Sequence, residues 1–537
     1  MDPQCIPFSS VPRTTRLFDD FLHHFDRVRG FYAPSPLEGG EANLHLTRDR
    51  EIDYPDDRRQ AVAGVLERQN REYGAGSKTL ENLQRLRQGA RAVVTGQQVG
   101  LFGGPLYCLW KALSVAALAE RMKAVPVFWL AAEDHDFDEI SSVQLPQVDR
   151  LQRFTVNVPH AEDAPVGTIA FGDEVTAAVR QVEGLFGPSP VVELLDASYR
   201  KGSNFADAFA GFYAKVFNEL GVIFLDPLDP ELHRQSRPLY RAALERAAEI
   251  NQALLARNRE LEAAGYHAQV NVTPSHTLCF YIEQGSRVPV RRDENGDSFM
   301  IGERRVARAE LIAETERCPE RFSANVLLRP VIEDYLLPTL CYMGGPAEIA
   351  YFAQVETVYR QLDRPVTPVV PRLFATIVEP RQAKLLNRYE LKLPDVFVAP
   401  EKLQEIVAKK SIPGRLMSSF ESAEENLERD LGGIRAGLEK LDPTLVDAAE
   451  NAASKMRYQL QGLRDKAARA EARKNSELHR HADELSTFLY PNKELQEREI
   501  GAAYFLLKYG LGVVEQLKQS INFGCPDHHV IPLHPRA

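Results

Sequence analysis

The fold is decided by the stretch Ala92-Val93-Val94-Thr95-Gly96-Gln97-Gln98-Val99-Gly100-Leu101-Phe102-Gly103-Gly104-Pro105. It begins as a β-run and ends in a glycine-rich loop. Residues 106–121 follow with apolar and small side chains at helical spacing, and residues 125–132 form a fully apolar run of the length of a buried parallel strand. Strand, loop, helix and strand in succession predict a βαβ unit, and therefore a parallel sheet covered by helices.

Further along the chain, two more apolar runs fit the same sheet, at residues 221–225 and 365–370. Long segments at 151–200 and 262–320 separate the candidate strands and carry hairpin-like patterns of their own. The stretch Asp293-Glu294-Asn295-Gly296-Asp297, for example, is a strong turn signal. We expect these segments to be insertions that build walls around a site on the carboxyl edge of the sheet.

The region from about 415 to 488 has a different pattern, an apolar heptad seam. Asp442-Pro443 interrupts it, because proline cannot continue a helix interior. Two seams around one break predict an antiparallel helical hairpin that projects roughly 60 Å, and a long arm of this kind is typical of oligomerisation. The seam residues are Phe420, Leu427, Leu431, Ile434, Leu438 and Leu441 before the break, then Met456, Leu460, Leu463, Ala467, Ala470, His481, Leu485 and Phe488.

Composition excludes several classes of protein. Lys plus Arg number 65 and Asp plus Glu 75, a net charge of −10, which argues against a nucleic-acid binder that depends on a basic face. The six cysteines show no zinc-ligand spacing, so the sequence predicts neither a disulfide framework nor a bound metal, and it is typical of a reducing cytosol. The first residues lack the pattern of a secretory signal, and the longest uncharged stretch, 92–110, is too rich in glycine to span a bilayer. We expect a cytoplasmic protein that binds neither membrane nor nucleic acid.

The glycine-rich loop is the first candidate site. Glycines at a strand-to-helix turn let a ligand approach the backbone, and the free N–H groups of a helix start attract anions. The loop is neither a Walker A motif nor the dinucleotide fingerprint, because its glycine spacing differs from both. A tight turn with no ligand is the simpler interpretation, but the position at a strand's carboxyl end favours binding. The candidate substrate-binding residues here are Thr95, Gly96, Gln97, Gln98, Gly103 and Gly104.

An acidic loop follows the second strand, Glu133-Asp134-His135-Asp136-Phe137-Asp138-Glu139. Charges this dense at the end of a buried strand are costly unless they are solvated, paired or used. Neighbouring carboxylates raise one another's pKa and favour protonated histidine, which creates a general acid or base near neutral pH. A divalent metal, or simply an acid-rich helix N-terminus, would also explain the pattern. The candidate catalytic residues are Glu133, Asp134, His135 and Asp136, and the two loops should face each other.

Two more segments carry candidate binding residues. A second Gly-Gly-Pro opens a second helix and predicts another anion or carboxylate pocket, for which the candidates are Arg329, Gly344, Gly345, Glu348 and Arg372. Behind the arm, Tyr490, Gln496 and Arg498 could stack on and hydrogen-bond an adenine or a phosphate. An interface between the arm and the core would explain those three residues equally well.

These segments together resemble one family. Residues 95–107 and 128–139 are similar to two signatures of the bacillithiol biosynthesis cysteine-adding enzyme family, BshC. Shorter matches follow in order and extend the resemblance over about residues 90 to 500. They are Gly265-Tyr266-His267-Ala268-Gln269-Val270, Gly344-Gly345-Pro346-Ala347-Glu348-Ile349-Ala350-Tyr351 and Leu495-Gln496-Glu497-Arg498.

The resemblance implies an α/β fold, a Rossmann-like parallel-sheet core similar to class I aminoacyl-tRNA synthetases, with two connecting-peptide insertions and a C-terminal antiparallel coiled-coil arm that dimerises. On that basis we divide the chain into seven parts. They are the first part of the core (1–150), the first insertion (151–200), the continued core (201–261), the second insertion (262–320), the final part of the core (321–400), the arm (401–490) and a C-terminal segment that packs back on the core (491–537).

The resemblance further implies a ligase that joins cysteine to the amine of glucosaminyl-malate, the last step of bacillithiol biosynthesis. A carboxylate and an amine do not form an amide unaided at pH 7, so ATP, with Mg²⁺, is the expected activating agent. On this hypothesis the loop glycines and Gln97 bind phosphate or the reacting carboxylate. His135, oriented by Asp134 or Asp136, deprotonates the amine, and Arg329 or Arg372 binds the malate carboxylates.

Two other classes of function fit parts of the sequence. A metal-dependent phosphohydrolase could use the acidic loop on Mg²⁺, and its hydrolysis would need no amine acceptor. A non-enzymatic coiled-coil scaffold would need neither the glycine loop nor the buried acids.

Overall fold

The computed structural model describes residues 4–33, 54–147, 150–293, 296–474 and 476–533. Its strands are short and fall into four sheets. They are β1 (Gln4–Ile6), β2 (Ala92–Gln97), β3 (Val125–Leu130), β4 (Ser142–Pro146), β5 (Leu151–Thr155), β6 (Ile223–Leu225), β7 (His276–Glu283), β8 (Ser286–Arg292), β9 (Ser298–Ile301), β10 (Arg304–Ala307), β11 (Phe322–Ala324), β12 (Thr339–Gly344), β13 (Val369–Pro371), β14 (Ala375–Val378) and β15 (His528–Pro532).

Helices make up most of the remainder. In chain order they are α1 (Arg16–His23), α2 (Asp56–Glu72), α3 (Ser77–Arg87), α4 (Leu106–Met122), α5 (Phe137–Ile140), α6 (Asp173–Phe186), α7 (Pro190–Ser198), α8 (Phe205–Val216), α9 (Pro230–Glu245), α10 (Ala247–Ala263), α11 (Arg308–Arg317), α12 (Arg329–Leu336), α13 (Pro346–Gln361), α14 (Pro380–Arg388), α15 (Leu393–Val396), α16 (Pro400–Lys410), α17 (Gly414–Leu441), α18 (Val446–Lys474), α19 (Ser476–Leu489), α20 (Gln496–Glu499), α21 (Ala502–Tyr509) and α22 (Val513–Gln519).

The central sheet has five strands in the order β13-β12-β2-β3-β6, and every neighbouring pair is parallel. The chain builds β2, β3 and β6 outward in one direction and then returns to place β12 and β13 on the other side of β2. This is the Rossmann order, with its topological switch point between β2 and β12. The predicted βαβ unit is confirmed, and β12 is an additional strand that sequence analysis missed.

Burial explains why the predicted βαβ unit forms. Every residue of β3 is buried, and α4, which connects β2 to β3, has almost no exposed face. Strands buried on both faces read as continuous apolar runs, which is the pattern of Val125–Leu130. One charged residue, Lys111, lies inside this apolar helix at 2% exposure, and it turns toward the carboxyl edge of the sheet.

The two long segments between core strands carry their own structure. Within 151–200 lie β5, which pairs with β4, and the helices α6 and α7. Within 262–320 lie β7, β8, β9 and β10, which join β11 in an antiparallel sheet in the order β10-β9-β8-β7-β11. The predicted turn at 293–297 lies between β8 and β9, although residues 294 and 295 fall outside the described part of the chain.

The arm is the predicted hairpin of two long helices, α17 and α18, joined at Asp442 and Pro443. Its seam differs from the prediction, because Ile434, Met456 and Leu463 are about half exposed. Small alanines, Ala453 and Ala468, supply the buried positions of α18 instead, since they allow two helices to approach closely. The Arg457 side chain on α18 also donates two hydrogen bonds to Glu428 on α17, at 2.6 and 3.0 Å.

The two ends of the described chain meet in a small sheet of order β1-β15-β14. Cys5 and Cys525 are joined there by a disulfide across a sequence separation of 520 residues. Sequence analysis predicted no disulfide framework and did not anticipate this single bond, because the fold, and no local spacing, brings the two cysteines together. Cys108, Cys279, Cys318 and Cys341 form no disulfide with any described residue. None of the helices in the described ranges is both long and apolar enough to cross a membrane.

The C-terminal segment returns to the core through a buried ion pair. Arg372, directly after β13, donates two hydrogen bonds to the carboxylate of Glu497 on α20, at 3.1 and 2.7 Å. The same carboxylate accepts the backbone N–H of Ala375. Both charged side chains are nearly inaccessible to solvent, so each depends on the other for neutralisation.

We expect Arg372→Met to lower the free energy of unfolding by about 3–5 kcal/mol, because it leaves the Glu497 carboxylate buried without a cation. Urea denaturation followed by circular dichroism measures the change. Lys201→Met is the matched control, since the Lys201–Asp173 pair is largely exposed and its loss should leave the midpoint unchanged. Equal midpoints for both variants would contradict a stabilising role for the buried pair.

Candidate functional site

Two predicted loops meet at the carboxyl edge of the central sheet. The Gln98 side chain, after β2, donates a hydrogen bond to Asp134 Oδ2, after β3, at 2.6 Å. The prediction that the glycine-rich and acidic loops face each other is therefore confirmed. The other amide atom, Gln98 Oε1, is buried and has no hydrogen-bond partner among the described residues.

The switch point between β2 and β12 contains a buried ion pair. Lys111 Nζ donates to Gly96 O at 2.5 Å and to Gln97 Oε1 at 2.6 Å, and lies 2.7 Å from Glu348 Oε2. Glu348 also accepts the backbone N–H of Gly345 and the hydroxyl of Tyr342. Burial by itself raises the pKa of Glu348, but the Lys111 charge and these donors lower it below its usual range.

These contacts show which polar groups at this edge already have partners. Gly96 O, Gln97 Oε1 and the Glu348 carboxylate bind Lys111, and the Gly345 N–H donates to Glu348, so a substrate would have to compete with these bonds. Gly344 allows close packing, because a side chain there would begin 2.9 Å from Glu348 Cβ. The second Gly-Gly-Pro thus starts α13, as predicted, and the protein's own Glu348 carboxylate accepts the N–H of Gly345 at that helix start.

The remaining glycines of the first loop are also structural. Gly103 has positive φ, donates its N–H to the Tyr199 hydroxyl and accepts from Tyr213, while Gly104 O accepts the N–H of Ala502. The Thr95 hydroxyl is fully buried and donates to Met343 O, which joins β2 to β12. These bonds give Gly103, Gly104 and Thr95 a structural role, and substrate binding by them stays a prediction.

A cavity of about 320 Å³ opens beside this point, between the end of β3 and the antiparallel sheet of residues 276–324. It is the best candidate for a ligand site, because it joins an apolar wall to convergent charged groups at the carboxyl edge of a Rossmann sheet. Its polar lining consists of Glu133, Asp134, His135, Asn271, His276, Thr277, Arg287, Asn325 and Arg329.

Glu133 has the most strongly perturbed carboxyl group in this cavity. It is 7% exposed, and its Oε1 accepts no hydrogen bond within the described residues. Burial raises the pKa of Glu133 to about 7, with the positive charges of Arg287 and Arg329 opposing the shift. The nearest ring, His233, lies 3.7 Å away, and burial lowers its pKa to about 4, so it stays neutral. Glu133 is thus poised to exchange a proton near neutral pH.

Arg287 organises the other side of the cavity. Its guanidinium, on β8, donates to Ala324 O and Ser323 Oγ, and lies 3.4 Å from Asp134 Oδ1. Arg287 Nη1 also lies 3.1 Å from His135 Nδ1. Because arginine only donates, that ring nitrogen must accept, and its lone pair is engaged. The contact leaves His135 without a free lone pair for the predicted role of base.

The other predicted residues separate into those inside and those outside the cavity. Arg329 lines it, while its Nη2 donates to the Tyr351 hydroxyl at 3.0 Å. Asp136 is exposed and caps α5 by accepting the N–H of Glu139, so it does not orient His135. Arg372 is outside the cavity lining and bonded to Glu497, which excludes the predicted carboxylate grip in this arrangement.

The candidates behind the arm belong to an interface. Gln496 is 1% exposed, accepts the N–H of Ile377, and donates to Ile377 O and Phe488 O. The Tyr490 ring is buried against Phe397, with centroids 5.2 Å apart. These two side chains cannot stack on an adenine, and the alternative of an interface between arm and core is the correct one for them. Arg498 is exposed.

Sequence analysis missed Arg287, Asn271 and Lys111. Arg287 belongs to a strand with two further arginines and nothing local singles it out. Asn271 directly follows the family motif at 265–270, and that neighbourhood was a usable signal. Lys111 was detectable as the one charge in the interior of an otherwise apolar helix.

The fold is that of a Rossmann-type α/β protein, and this cavity is its candidate ligand site at the carboxyl edge of the sheet. Residues 1–373 match the family model described as bacillithiol biosynthesis BshC, N-terminal Rossmann-like domain, and residues 375–533 match the BshC C-terminal coiled-coil domain. The chain belongs to the BshC family.

Full-length relatives support this assignment. A protein of Koribacter versatilis named putative cysteine ligase BshC is 45% identical over 99% of this chain and 100% of its own length. Proteins of the same name from Solibacter usitatus and Salinibacter ruber are 37% and 33% identical, over 98% and 96% of this chain and 99% and 96% of their own lengths.

We expect Lys111→Met to lower the free energy of unfolding by about 3–5 kcal/mol, because Glu348 would stay buried without its cation. The double variant Lys111→Met/Glu348→Leu should lose less than the sum of the two single variants, since no uncompensated charge remains. Urea denaturation of all three variants measures the coupling. Strictly additive losses of unfolding free energy would show that Lys111 and Glu348 do not stabilise each other.

Proposed function

We propose that this protein is a cysteine ligase that joins the carboxyl group of L-cysteine to the amine of glucosaminyl-malate, with ATP as the activating substrate. The observation that carries the proposal is the cavity in which a carboxyl group of pKa about 7, Glu133, faces Arg287 and Arg329. Similarity over almost the whole chain to proteins named putative cysteine ligase BshC supports the choice of reaction.

The chemistry of amide formation demands a base and an anion-binding group. The sugar amine must lose a proton as its nitrogen bonds to the cysteine carbonyl carbon, while the activating group leaves with the carboxyl oxygen. Because Glu133 is buried, unbonded at Oε1 and half ionised near pH 7, it is the group in the cavity best suited to accept that proton.

The two arginines supply the positive charge. Arg287 is fixed by Ser323, Ala324 and the acidic loop, and Arg329 by Tyr351 and Glu333, so both present oriented donors to the cavity. Bidentate donors of this kind suit the carboxylates of malate, or the anionic leaving group. His135, bonded to Arg287, positions that guanidinium.

ATP would bring phosphate groups, with Mg²⁺, to this cavity. The N–H groups of Gly103, Gly104 and Gly345 donate to other groups of the protein, so these three glycines offer no free donor to a phosphate. Arg287 and Arg329 do fit, as the cations that line the cavity. ATP supplies the activation of the cysteine carboxyl group.

The competing functions find less support. A magnesium-dependent phosphohydrolase needs converging carboxylates, whereas Asp136 caps a helix and Asp134 already accepts from Gln98 and Arg287. In the parts of the chain that the structure covers, no three ligand atoms of the acidic loop come together as a metal-binding group. A scaffold would not need the buried Glu133.

The proposal includes a homodimer formed through the arm. Among the described residues, seven of the eight large exposed hydrophobic side chains lie on α17, α18 or the turn between them. Such a cluster on one extended element marks an interaction surface. The seven are Leu416, Ile434, Leu441, Leu445, Met456, Tyr458 and Leu463.

We expect Glu133→Gln to lower the rate of amide formation about 10²- to 10⁴-fold, because glutamine cannot accept the proton. In the wild type, kcat/KM should fall as pH drops below about 7, since protonation of Glu133 removes the base. Purified protein, cysteine, glucosaminyl-malate and Mg-ATP are incubated, and mass spectrometry measures the cysteinyl amide with AMP or ADP.

Asp138→Asn is the matched control, because it removes an exposed carboxylate from the same loop and should keep full turnover. Full turnover by Glu133→Gln would overturn the assignment of the base while leaving the ligase proposal intact. No amide from the wild type, in buffer or in cell extract, would overturn the ligase proposal itself.

We expect Ile434→Glu/Leu441→Glu to convert the dimer to a monomer, because both side chains are more than half exposed on the arm and a charge there would oppose burial. Light scattering coupled to size exclusion should give twice the chain mass of 60.3 kDa for the wild type and for the control Glu439→Gln. A wild type that elutes at the single-chain mass would contradict dimerisation.

A further inference from the structure

Three potential metal ligands meet where the two ends of the chain pair. Cys5 on β1 lies directly opposite His529 on β15 in the antiparallel register. Cys525 precedes His529 by four residues in the turn that leads into β15. One ligand atom from each of the three lies within 4.8 Å of the others, and this is the only such group that the described ranges contain.

The geometry of His529 suits a ligand. Its Nε2 lies 3.1 Å from Cys525 O, and because a carbonyl oxygen can only accept, Nε2 carries the proton. The lone pair is therefore on Nδ1. Metal-binding histidines characteristically donate their other N–H to a carbonyl or carboxylate, which fixes the ring and its tautomer. His529 is buried at 6% exposure, whereas Cys5 is exposed and opens a path to solvent.

We propose that Cys5, Cys525 and His529 form a binding site for a thiophilic divalent ion of the zinc class when the two cysteines are reduced. The disulfide and the metal are then alternative states of one site. This site is separate from the cavity of Glu133, and the proposal does not rest on the ligase assignment.

The chemistry of the donors selects the metal. Two thiolates and a neutral imidazole are the ligands that Zn²⁺ prefers, with a water molecule left for the fourth position. Bond lengths of about 2.3 Å to sulfur and 2.0–2.1 Å to nitrogen place tetrahedral ligand atoms roughly 3.5 Å apart. Ligand atoms that already lie within 4.8 Å reach that spacing through small side-chain movements.

Conversion between the states balances as a thiol–disulfide exchange. A dithiol reductant gives two electrons, the Cys5–Cys525 bond breaks, and each sulfur becomes a thiol as the reductant closes its own disulfide. Binding of Zn²⁺ then displaces the two thiol protons to solvent. The disulfide joins β1 to the turn before β15, whereas a bound ion would join β1 to β15 itself through His529, whose N–H donates to Phe374 O.

The test measures zinc on the full-length chain. Protein reduced with dithiothreitol and freed of reductant without air is titrated with Zn²⁺ by calorimetry, and bound zinc is counted by mass spectrometry. We expect one Zn²⁺ per reduced chain, none on the oxidised chain, and at least about 100-fold weaker affinity in Cys5→Ser, Cys525→Ser and His529→Asn. Cys318→Ser, which removes a partly exposed cysteine elsewhere, should bind as the wild type does.

Cobalt gives a second readout that does not depend on folding of the variants. Co²⁺ added to the reduced wild type should show a near-ultraviolet thiolate-to-cobalt band that oxidation abolishes. A reduced, folded wild type that binds no Zn²⁺ and shows no such band would overturn the proposal. Zinc binding that persists unchanged in His529→Asn and Cys5→Ser would overturn it equally, since the ion would then be bound elsewhere.

Discussion

The buried pair of Lys111 and Glu348 is the interaction on which the architecture of this edge depends. It lies at the topological switch point, where an open α/β sheet ordinarily leaves a crevice for a ligand. Lys111, in an otherwise apolar helix, donates to the polar groups at the end of β2, and Glu348 accepts from the backbone at the start of α13. A lone charge in this position would be prohibitively costly, so the two loops are constrained to meet around the pair.

Because Lys111 and Glu348 fill the switch point, the open cavity of the core lies toward the end of β3 instead. The antiparallel sheet of the second long segment completes that cavity and contributes Arg287 from β8. The result is a set of opposite charges in a small volume, where burial raises the pKa of Glu133 and the arginines offset part of that rise. Acid–base chemistry near neutral pH follows from this balance, and so does the proposed role of Glu133.

Buried side chains also hold the C-terminal segment against the core. Sequence analysis placed candidate ligand-binding residues in the family signature at 495–498. In the structure, Glu497 of this signature neutralises Arg372 and Gln496 hydrogen-bonds Ile377. These contacts fix the base of the arm against the core, so an interaction surface on the arm can be held at a distance from the cavity. The two BshC family models match residues 1–373 and 375–533, so the boundary between them falls directly after Arg372 and Leu373.

The sequence by itself determined the local elements. Apolar runs and the glycine loop predicted β2, α4 and β3, and a proline break predicted the helical hairpin. Strand-end positions predicted that the glycine-rich and acidic loops would face each other, as the Gln98–Asp134 bond shows. Only the tertiary structure decided which polar groups are free. Gly103, Arg372 and Gln496 looked like ligand-binding residues, yet their partners come from distant segments, and Arg287 reaches Asp134 across 153 positions. Hydrogen-bond partnership and burial are properties of non-local packing, so periodicity and spacing along the chain cannot specify them.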